Sequence, residues 1–136
     1  MKTKLSVFLI TIIGLSMLIS SCKKGGGNSN MQLLQINSQN NGKTIAVSKG
    51  QSLRLTLKNP GDGGYSFDTP QYNSSVLSLT GHTHSSGASS AVGGFGDDAW
   101  EFKALKTGES TLVITATRPF DKNNPVVMFS GKVTAN

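Results

Sequence analysis

The sequence has very little cysteine, since Cys22 is the only one among its 136 residues. One thiol near the start of the chain excludes an internal disulfide framework. It also leaves no cysteine in the body of the chain to act as a nucleophile. The folded protein must therefore resist unfolding and proteolysis by packing alone.

Charge is also sparse: Asp, Glu, Lys and Arg together make up 15% of the residues, with a formal net charge of +6. The sequence contains no arginine-rich stripe and no basic helix of the kind that follows nucleic-acid phosphates. Internal repeats and heptad patterns are absent as well. We expect a single monomeric domain that does not bind nucleic acid.

The first residues have the pattern of a targeting segment. Lys2 and Lys4 precede an almost wholly apolar run over residues 5–19, which is too short for a stable membrane span. Residues 18–22, Leu-Ile-Ser-Ser-Cys, resemble the lipobox of bacterial lipoproteins. The resemblance implies cleavage before Cys22, lipid on its thiol and acylation of the new amino terminus. The alternative is an ordinary secretory signal followed by a stray cysteine.

These features divide the chain into a signal peptide (residues 1–21), a flexible lipid-anchored tether (22–30) and a folded domain (31–136). Residues 23–30, KKGGGNSN, offer nothing that could be buried. A lysine after the lipidated cysteine resembles outer-membrane sorting more than retention. We expect the protein in a bacterial cell envelope, held through Cys22 at the periplasmic face or the cell surface of the outer membrane.

The domain has the composition of an all-β protein. It is rich in Gly, Ser, Thr and Asn, and short runs alternate between apolar and polar residues. The alternation predicts strands over residues 32–36, 44–47, 53–57, 65–67, 76–79, 100–105, 111–117 and 126–133. Seven to eight short antiparallel strands favour an immunoglobulin-like β-sandwich.

The connections between these strands are unequal. If consecutive strands reverse direction, the turns at 48–50 and 106–109 lie at one end of the sandwich, and both are compact. The segments 58–64, 80–99 and 118–125 then lie at the other end, and each is longer than a hairpin needs. A loop of about 20 residues in so small a domain is functional or disordered. The asymmetry predicts one working end.

Three motifs at this end resemble those of the chagasin family of cysteine-protease inhibitors, over residues 42–136. The family's Asn-Pro-x-x-Gly-aromatic loop is matched at residues 59–65, with one additional residue before the aromatic ring. Its glycine-rich loop before an aromatic strand is matched by Gly93 and Gly94 ahead of Trp100. Its Arg-Pro-Trp turn is matched at residues 118–120, where phenylalanine replaces tryptophan.

The resemblance implies a reversible inhibitor, not an enzyme, that needs no cofactor or metal and whose partner is a cysteine protease. Residues 59–65, here called the wedge loop, would enter the active-site cleft, while the other two segments hold its walls. The implied protease-binding residues are Asn59, Pro60, Gly61, Asp62, Gly63, Gly64, Tyr65, Gly93, Gly94, Phe95, Trp100, Arg118, Pro119 and Phe120.

The residue types suit such a role. Glycines allow close approach to a protease backbone, and the prolines fix backbone dihedrals before binding. Phe95, Phe120 and Trp100 would add rigid contact area, and Tyr65 would close the loop by packing its ring on the sandwich. Arg118 has two interpretations: a direct contact to the protease, or a fastener of the loop base through a carbonyl or through Asp121 or Asp97.

Other functions are weaker interpretations of the same sequence. His82 and His84 with Asp97 and Asp98 could suggest a metal site, but no third ligand has diagnostic spacing. A Ser-His-Asp hydrolase would lack the Gly-x-Ser-x-Gly elbow. The main alternative is a cell-surface adhesion or glycan-binding sandwich, although its aromatic residues would be divided among three loops instead of one flat face.

Overall fold

The computed structural model of the protein describes residues 31–86 and 94–136. Within them the chain forms two short 3-10 turns, at Ser38–Asn40 and Gly61–Gly63, and eight β-strands. The strands are β1 (Leu34–Asn37), β2 (Thr44–Val47), β3 (Ser52–Lys58), β4 (Ser66–Phe67), β5 (Leu77–Ser85), β6 (Asp97–Ala104), β7 (Gly108–Arg118) and β8 (Asp121–Ala135).

The strands form two four-stranded sheets that face each other. Their orders are β1-β3-β6-β5 and β2-β8-β7-β4. The expected immunoglobulin-like β-sandwich is confirmed, with one difference in strand direction. β1 runs parallel to β3, and β2 runs parallel to β8; neither pair is joined by a hairpin, so neither is required to be antiparallel.

The core lies between the sheets and follows the alternation of the sequence. In β3, Leu53, Leu55 and Leu57 are buried, whereas Arg54 and Thr56 are partly exposed. The same pattern in β6 and β7 directs large apolar side chains toward the opposite sheet. Fully buried members include Trp100, Phe102, Leu112, Ile114 and Phe129.

The glycine-rich connection is shorter than the sequence predicts. β5 continues through Ser85 and β6 begins at Asp97, so the connection between them covers residues 86–96 rather than 80–99, and the structure describes 86 and 94–96 of these. Backbone pairing with β6 extends β5 past a register shift between Leu79 and Gly81. The polar residues of this edge strand carry no alternating apolar signal, because they do not cover the core. We call residues 86–96 the glycine loop.

The last connection is also shorter than expected. β7 ends at Arg118 and β8 begins at Asp121, so Pro119 and Phe120 alone join them. The predicted long loop over 118–125 is therefore wrong, because residues 121–125 already belong to β8. We call residues 118–120 the Arg-Pro-Phe turn.

The wedge loop, the described ends of the glycine loop and the Arg-Pro-Phe turn share one end of the sandwich, the loop pole. Strand register places them there, since Lys58 and Ser85 both pair with Asp97 in one sheet, and Ser66, which follows the wedge loop, pairs with Thr117 in the other. The opposite end, the base pole, carries the connections 48–51 and 105–107.

The predicted signal peptide, tether and lipidation of Cys22 all lie outside the described residues. In the part that the structure covers, no helix is sufficiently long and apolar to cross a membrane.

Candidate functional site

The wedge loop is a compact turn. Pro60 has φ −86°, and Gly61–Gly63 form a single 3-10 turn. Gly64 follows in the left-handed region with φ 73°, and its N–H donates to the Gly61 carbonyl at 2.9 Å. A side chain would strain that conformation, so glycine at position 64 ends the turn at little cost. The 3-10 turn therefore accommodates the additional residue of the Asn-Pro-x-x-Gly-aromatic motif.

Asn59 fixes the start of the wedge loop with three hydrogen bonds. Its backbone N–H donates to the carbonyl of Gly96 at 3.0 Å, which joins the wedge loop to the glycine loop. Its side-chain oxygen accepts from the N–H of Gly61 at 2.9 Å. Its amide nitrogen donates to Oδ2 of Asp98 at 2.6 Å. One side chain therefore bridges the turn and the sheet beneath it.

Asp98 is the buried acceptor under the loop pole, with 5% of its side chain exposed. Besides Asn59 it contacts His82 Nε2 at 2.8 Å and His84 Nδ1 at 3.1 Å. Burial raises the pKa of Asp98, but hydrogen bonds from Asn59, His84 and His82 and the charge of His84 together hold that pKa below its usual value of 3.8. The carboxylate is thus kept ionised as an anchor for Asn59.

Phe95 joins the glycine loop to the wedge loop by packing. A Cβ placed on Gly61 would lie 2.6 Å from Cδ1 of Phe95, far inside van der Waals contact. Only glycine at position 61 allows the ring to lie this close. Phe95 nevertheless keeps 46% exposure, so it can both support the wedge loop and contact a partner.

Arg118 joins the Arg-Pro-Phe turn to the wedge loop. Its Nε donates to the carbonyl of Gly63 at 2.9 Å, and its guanidinium lies 4.3 Å from the centre of the Tyr65 ring. This contact matches the interpretation in which Arg118 holds the base of the wedge loop through a backbone carbonyl. Asp97 instead pairs with Lys58, and Asp121 accepts a hydrogen bond from the amide of Asn124. Neither carboxylate pairs with Arg118. The ring of Tyr65 thus lies under the Arg118 cation and is half-buried at the end of the wedge loop.

The aromatic residues at the loop pole divide into two groups. Phe120 is 80% exposed at the tip of its turn. Trp100 is 1% exposed, so the expectation that it offers contact area is corrected. It packs edge-on against Phe67 at 4.8 Å and stacks on the ring of His82 at 4.8 Å. Trp100 therefore supports the pole from within.

The structure also describes two further residues that were predicted to bind a protease. Gly94 is exposed in the glycine loop, and the backbone of Asp62 lies within the 3-10 turn. Gly93 lies outside the described residues. Across residues 31–86 and 94–136, no set of three or more Asp, Glu, His or Cys side chains is arranged to hold a metal ion. His82 and His84 are close together, but both bond to Asp98.

Sequence reasoning missed the connection between Asn59 and Asp98. The two residues are 39 positions apart, and the pairing of β3 with β6 brings them together. The only signal was a polar residue at an inward position of a strand that otherwise alternates, since Asp98 shares the buried face with Trp100 and Phe102.

Two open grooves lie at the loop pole, and the wedge loop lines one of them. One of about 420 Å³ is lined by Gly61, Tyr65, His82 and Phe95 among others. The second, of about 370 Å³, lies beside Arg118 and Pro119 and shares Ser66 with the first. The wedge loop therefore borders an open groove that could receive a projection from a binding partner.

The family comparison agrees with this arrangement. Residues 46–133 match the family described as Chagasin family peptidase inhibitor I42. The chain therefore belongs to the chagasin family, whose members are inhibitors of cysteine proteases and not enzymes. None of the curated proteins compared with the chain matches it.

Solved structures share the fold. The cysteine protease inhibitor EhICP2 from Entamoeba histolytica is 16% identical with a TM-score of 0.60, covering 76% of this chain and 95% of its own. Amebosin is 25% identical with a TM-score of 0.62, covering 77% and 99%. PbICP-C, solved in complex with falcipain-2, is 19% identical with a TM-score of 0.51, covering 78% and 91%.

Proposed function

We propose that the protein inhibits cysteine proteases reversibly by inserting the wedge loop into the active-site cleft. The glycine loop, through Gly93, Gly94 and Phe95, contacts one wall, and the Arg-Pro-Phe turn contacts the other. Membership of the chagasin family supports this proposal, as does a relative of the same fold that is found in complex with falcipain-2.

One observation carries the proposal: the three segments are fastened to one another in the free protein. Phe95 lies against Gly61, Asn59 bonds to Gly96, and Arg118 bonds to Gly63. Segments that are already ordered lose little conformational entropy on binding, so more of the contact energy appears as affinity. Stiffness also suits an inhibitor, because a peptide must adapt to the catalytic residues to be cleaved.

The test is an inhibition assay against a panel of papain-like and bacterial cysteine proteases. We expect competitive inhibition with nanomolar to micromolar Ki. Binding should survive when the catalytic cysteine carries only a methylthio group and should be lost when a peptide-like reagent fills the cleft. No inhibition across the panel, together with retention on polysaccharide beads, would instead favour the glycan-binding alternative.

Two exposed apolar residues on the same hairpin give a matched pair for this assay. Phe120 is 80% exposed at the tip, whereas Val127 is 58% exposed on the side of β8. Phe120→Ala should raise Ki by about tenfold or more, as expected for an aromatic anchor. Val127→Ala should leave Ki unchanged. Equal effects of the two substitutions would contradict the role of the loop pole.

We further propose that Cys22 carries the lipid anchor and that the protein is held at the bacterial outer membrane. The support is the Leu-Ile-Ser-Ser-Cys sequence at residues 18–22 after an apolar run. Mass spectrometry of the mature amino-terminal peptide should find acyl chains on Cys22, and Cys22→Ser should release the protein from the membrane fraction. A free thiol at Cys22 would refute the anchor while leaving inhibition unaffected.

A further inference from the structure

Exposed lysines that are distant in sequence lie at the base pole. The N–H of Gly50 donates to the carbonyl of Ala104 at 2.7 Å, which brings the connection 48–51 beside the end of β6. Lys49, Lys103 and Lys106 are all exposed around this junction. In the part of the chain that the structure covers, none of the three forms an ion pair.

The acidic residues do not offset these lysines. Glu109 is the one acidic side chain beside the base pole among the described residues, and it pairs with Lys132 at 2.7 Å. Glu101 pairs with Arg54 midway along the sandwich. The remaining acids, Asp62, Asp68, Asp97, Asp98 and Asp121, lie at or near the loop pole. The domain is therefore electrically asymmetric, with a positive base pole.

The base pole also exposes apolar side chains. Leu105 is 46% exposed between two of the lysines, and Met31 is 44% exposed beside Gly50. Lysine combined with exposed Leu and Met is the composition that a lipid–water interface accommodates, with charges at the headgroups and apolar groups just below them.

The chain enters the domain at this same pole. Gln51 Nε2 donates to the carbonyl of Gln32 at 2.9 Å, just before β1 starts toward the loop pole. Residues 1–30 therefore join the domain at its base. Two of them, Lys23 and Lys24, add positive charge close to Cys22.

We propose that the base pole is a docking surface for anionic phospholipid headgroups. The proposal rests on the lipid anchor proposed for Cys22, which would hold the domain close to the bilayer. A flexible chain of nine glycine-rich residues has a root-mean-square span of roughly 15–18 Å, a length that would hold the lysines of the base pole near the headgroups. Each lysine near an anionic surface strengthens docking roughly fivefold.

Docking would orient the inhibitor. The strand β7 has 11 residues and reaches from the base pole to the loop pole, a length of about 35 Å at the usual rise per residue. With the base on the bilayer, the wedge loop points away from the membrane at that height. The protein would then meet proteases in the aqueous phase rather than proteases embedded in the same membrane.

The test uses the full lipidated chain in vesicles, labelled with a fluorophore at one added cysteine. Thr107→Cys places the label at the base pole, and Asn123→Cys places it near the loop pole; both positions are exposed. Headgroup-quencher lipids are included in vesicles of phosphatidylcholine alone or with phosphatidylglycerol. We expect severalfold stronger quenching of the position 107 label on anionic vesicles, reversed by high salt, and little quenching of the position 123 label on either.

A variant with Lys49, Lys103 and Lys106 all changed to Gln should lose the lipid dependence while it inhibits proteases as before. Equal quenching of the position 107 label on neutral and anionic vesicles, or equal quenching of both labels, would overturn the proposal. Failure of the chain to associate with neutral vesicles would refute the anchor separately. Loss of protease inhibition, measured on the same samples, would refute the proposed function and not the docking.

Discussion

The side chain of Asn59 donates a 2.6 Å hydrogen bond to the carboxylate of Asp98, which is 5% exposed beneath the wedge loop. A charge-assisted bond in so dry a site is worth more than an ordinary surface contact, and it connects the turn directly to the sheet. The rigidity of the loop pole thus begins with a pair of residues that are 39 positions apart.

We expect Asp98→Asn to lower the free energy of unfolding by about 2 kcal/mol, because its new amide would face the donors of Asn59 and the histidines. The neighbouring Asp97→Asn is the control. Asp97 pairs with Lys58, which is 87% exposed, so its loss should cost under about 1 kcal/mol. Urea unfolding measures both, and equal losses would contradict the anchoring role of Asp98.

The pKa of Asp98 predicts a dependence of stability on pH. Because folding holds that pKa below 3.8, the unfolded chain takes up the proton first as the solution becomes acidic. The stabilisation is complete above pH 3.8 and declines as the pH falls through the folded pKa. Unfolding free energies measured across this range should decline less steeply for Asp98→Asn than for the natural chain or for Asp97→Asn.

Glycine at position 61 is expected to matter for affinity through Phe95. Gly61→Ala would place a methyl group 2.6 Å from the Phe95 ring and 2.9 Å from Oδ1 of Asn59, which would displace the ring and raise Ki by about tenfold. Gly81→Ala is the matched control, since an added Cβ there meets nothing within 4 Å. Inhibition kinetics against the same protease compare the two, and an unchanged Ki for Gly61→Ala would show that the packing of Phe95 is unimportant.

Arg118→Lys should weaken inhibition by about tenfold even though it keeps the charge, because lysine lacks the Nε that bonds to the Gly63 carbonyl. The chain has one other arginine, Arg54, which pairs with Glu101 away from the loop pole. Arg54→Lys should therefore leave Ki unchanged. If Arg118→Lys also left Ki unchanged, the fastening of the wedge loop would not contribute to binding.

Much of the fold follows from the local alternation of apolar and polar residues. The strand predicted at 44–47 is β2 itself, and the prediction at 53–57 lies within β3. Apolar and polar residues alternate in these segments because one face of each strand covers the core. This alternation can be seen in a few consecutive residues of the sequence. The later half of β5 has no such signal, because backbone pairing with β6 forms it.

The sequence alone determined the sandwich, the three motifs and their order along the chain, since periodicity and turn residues act over a few neighbouring positions. Only the tertiary structure decided that Trp100 is buried, that Arg118 bonds to the wedge loop, and that Gly50, next to Lys49, bonds to Ala104 at the end of β6. The reason is physical: such contacts depend on which strands pair and in what register, and burial is a property of the closed sandwich that no single segment possesses.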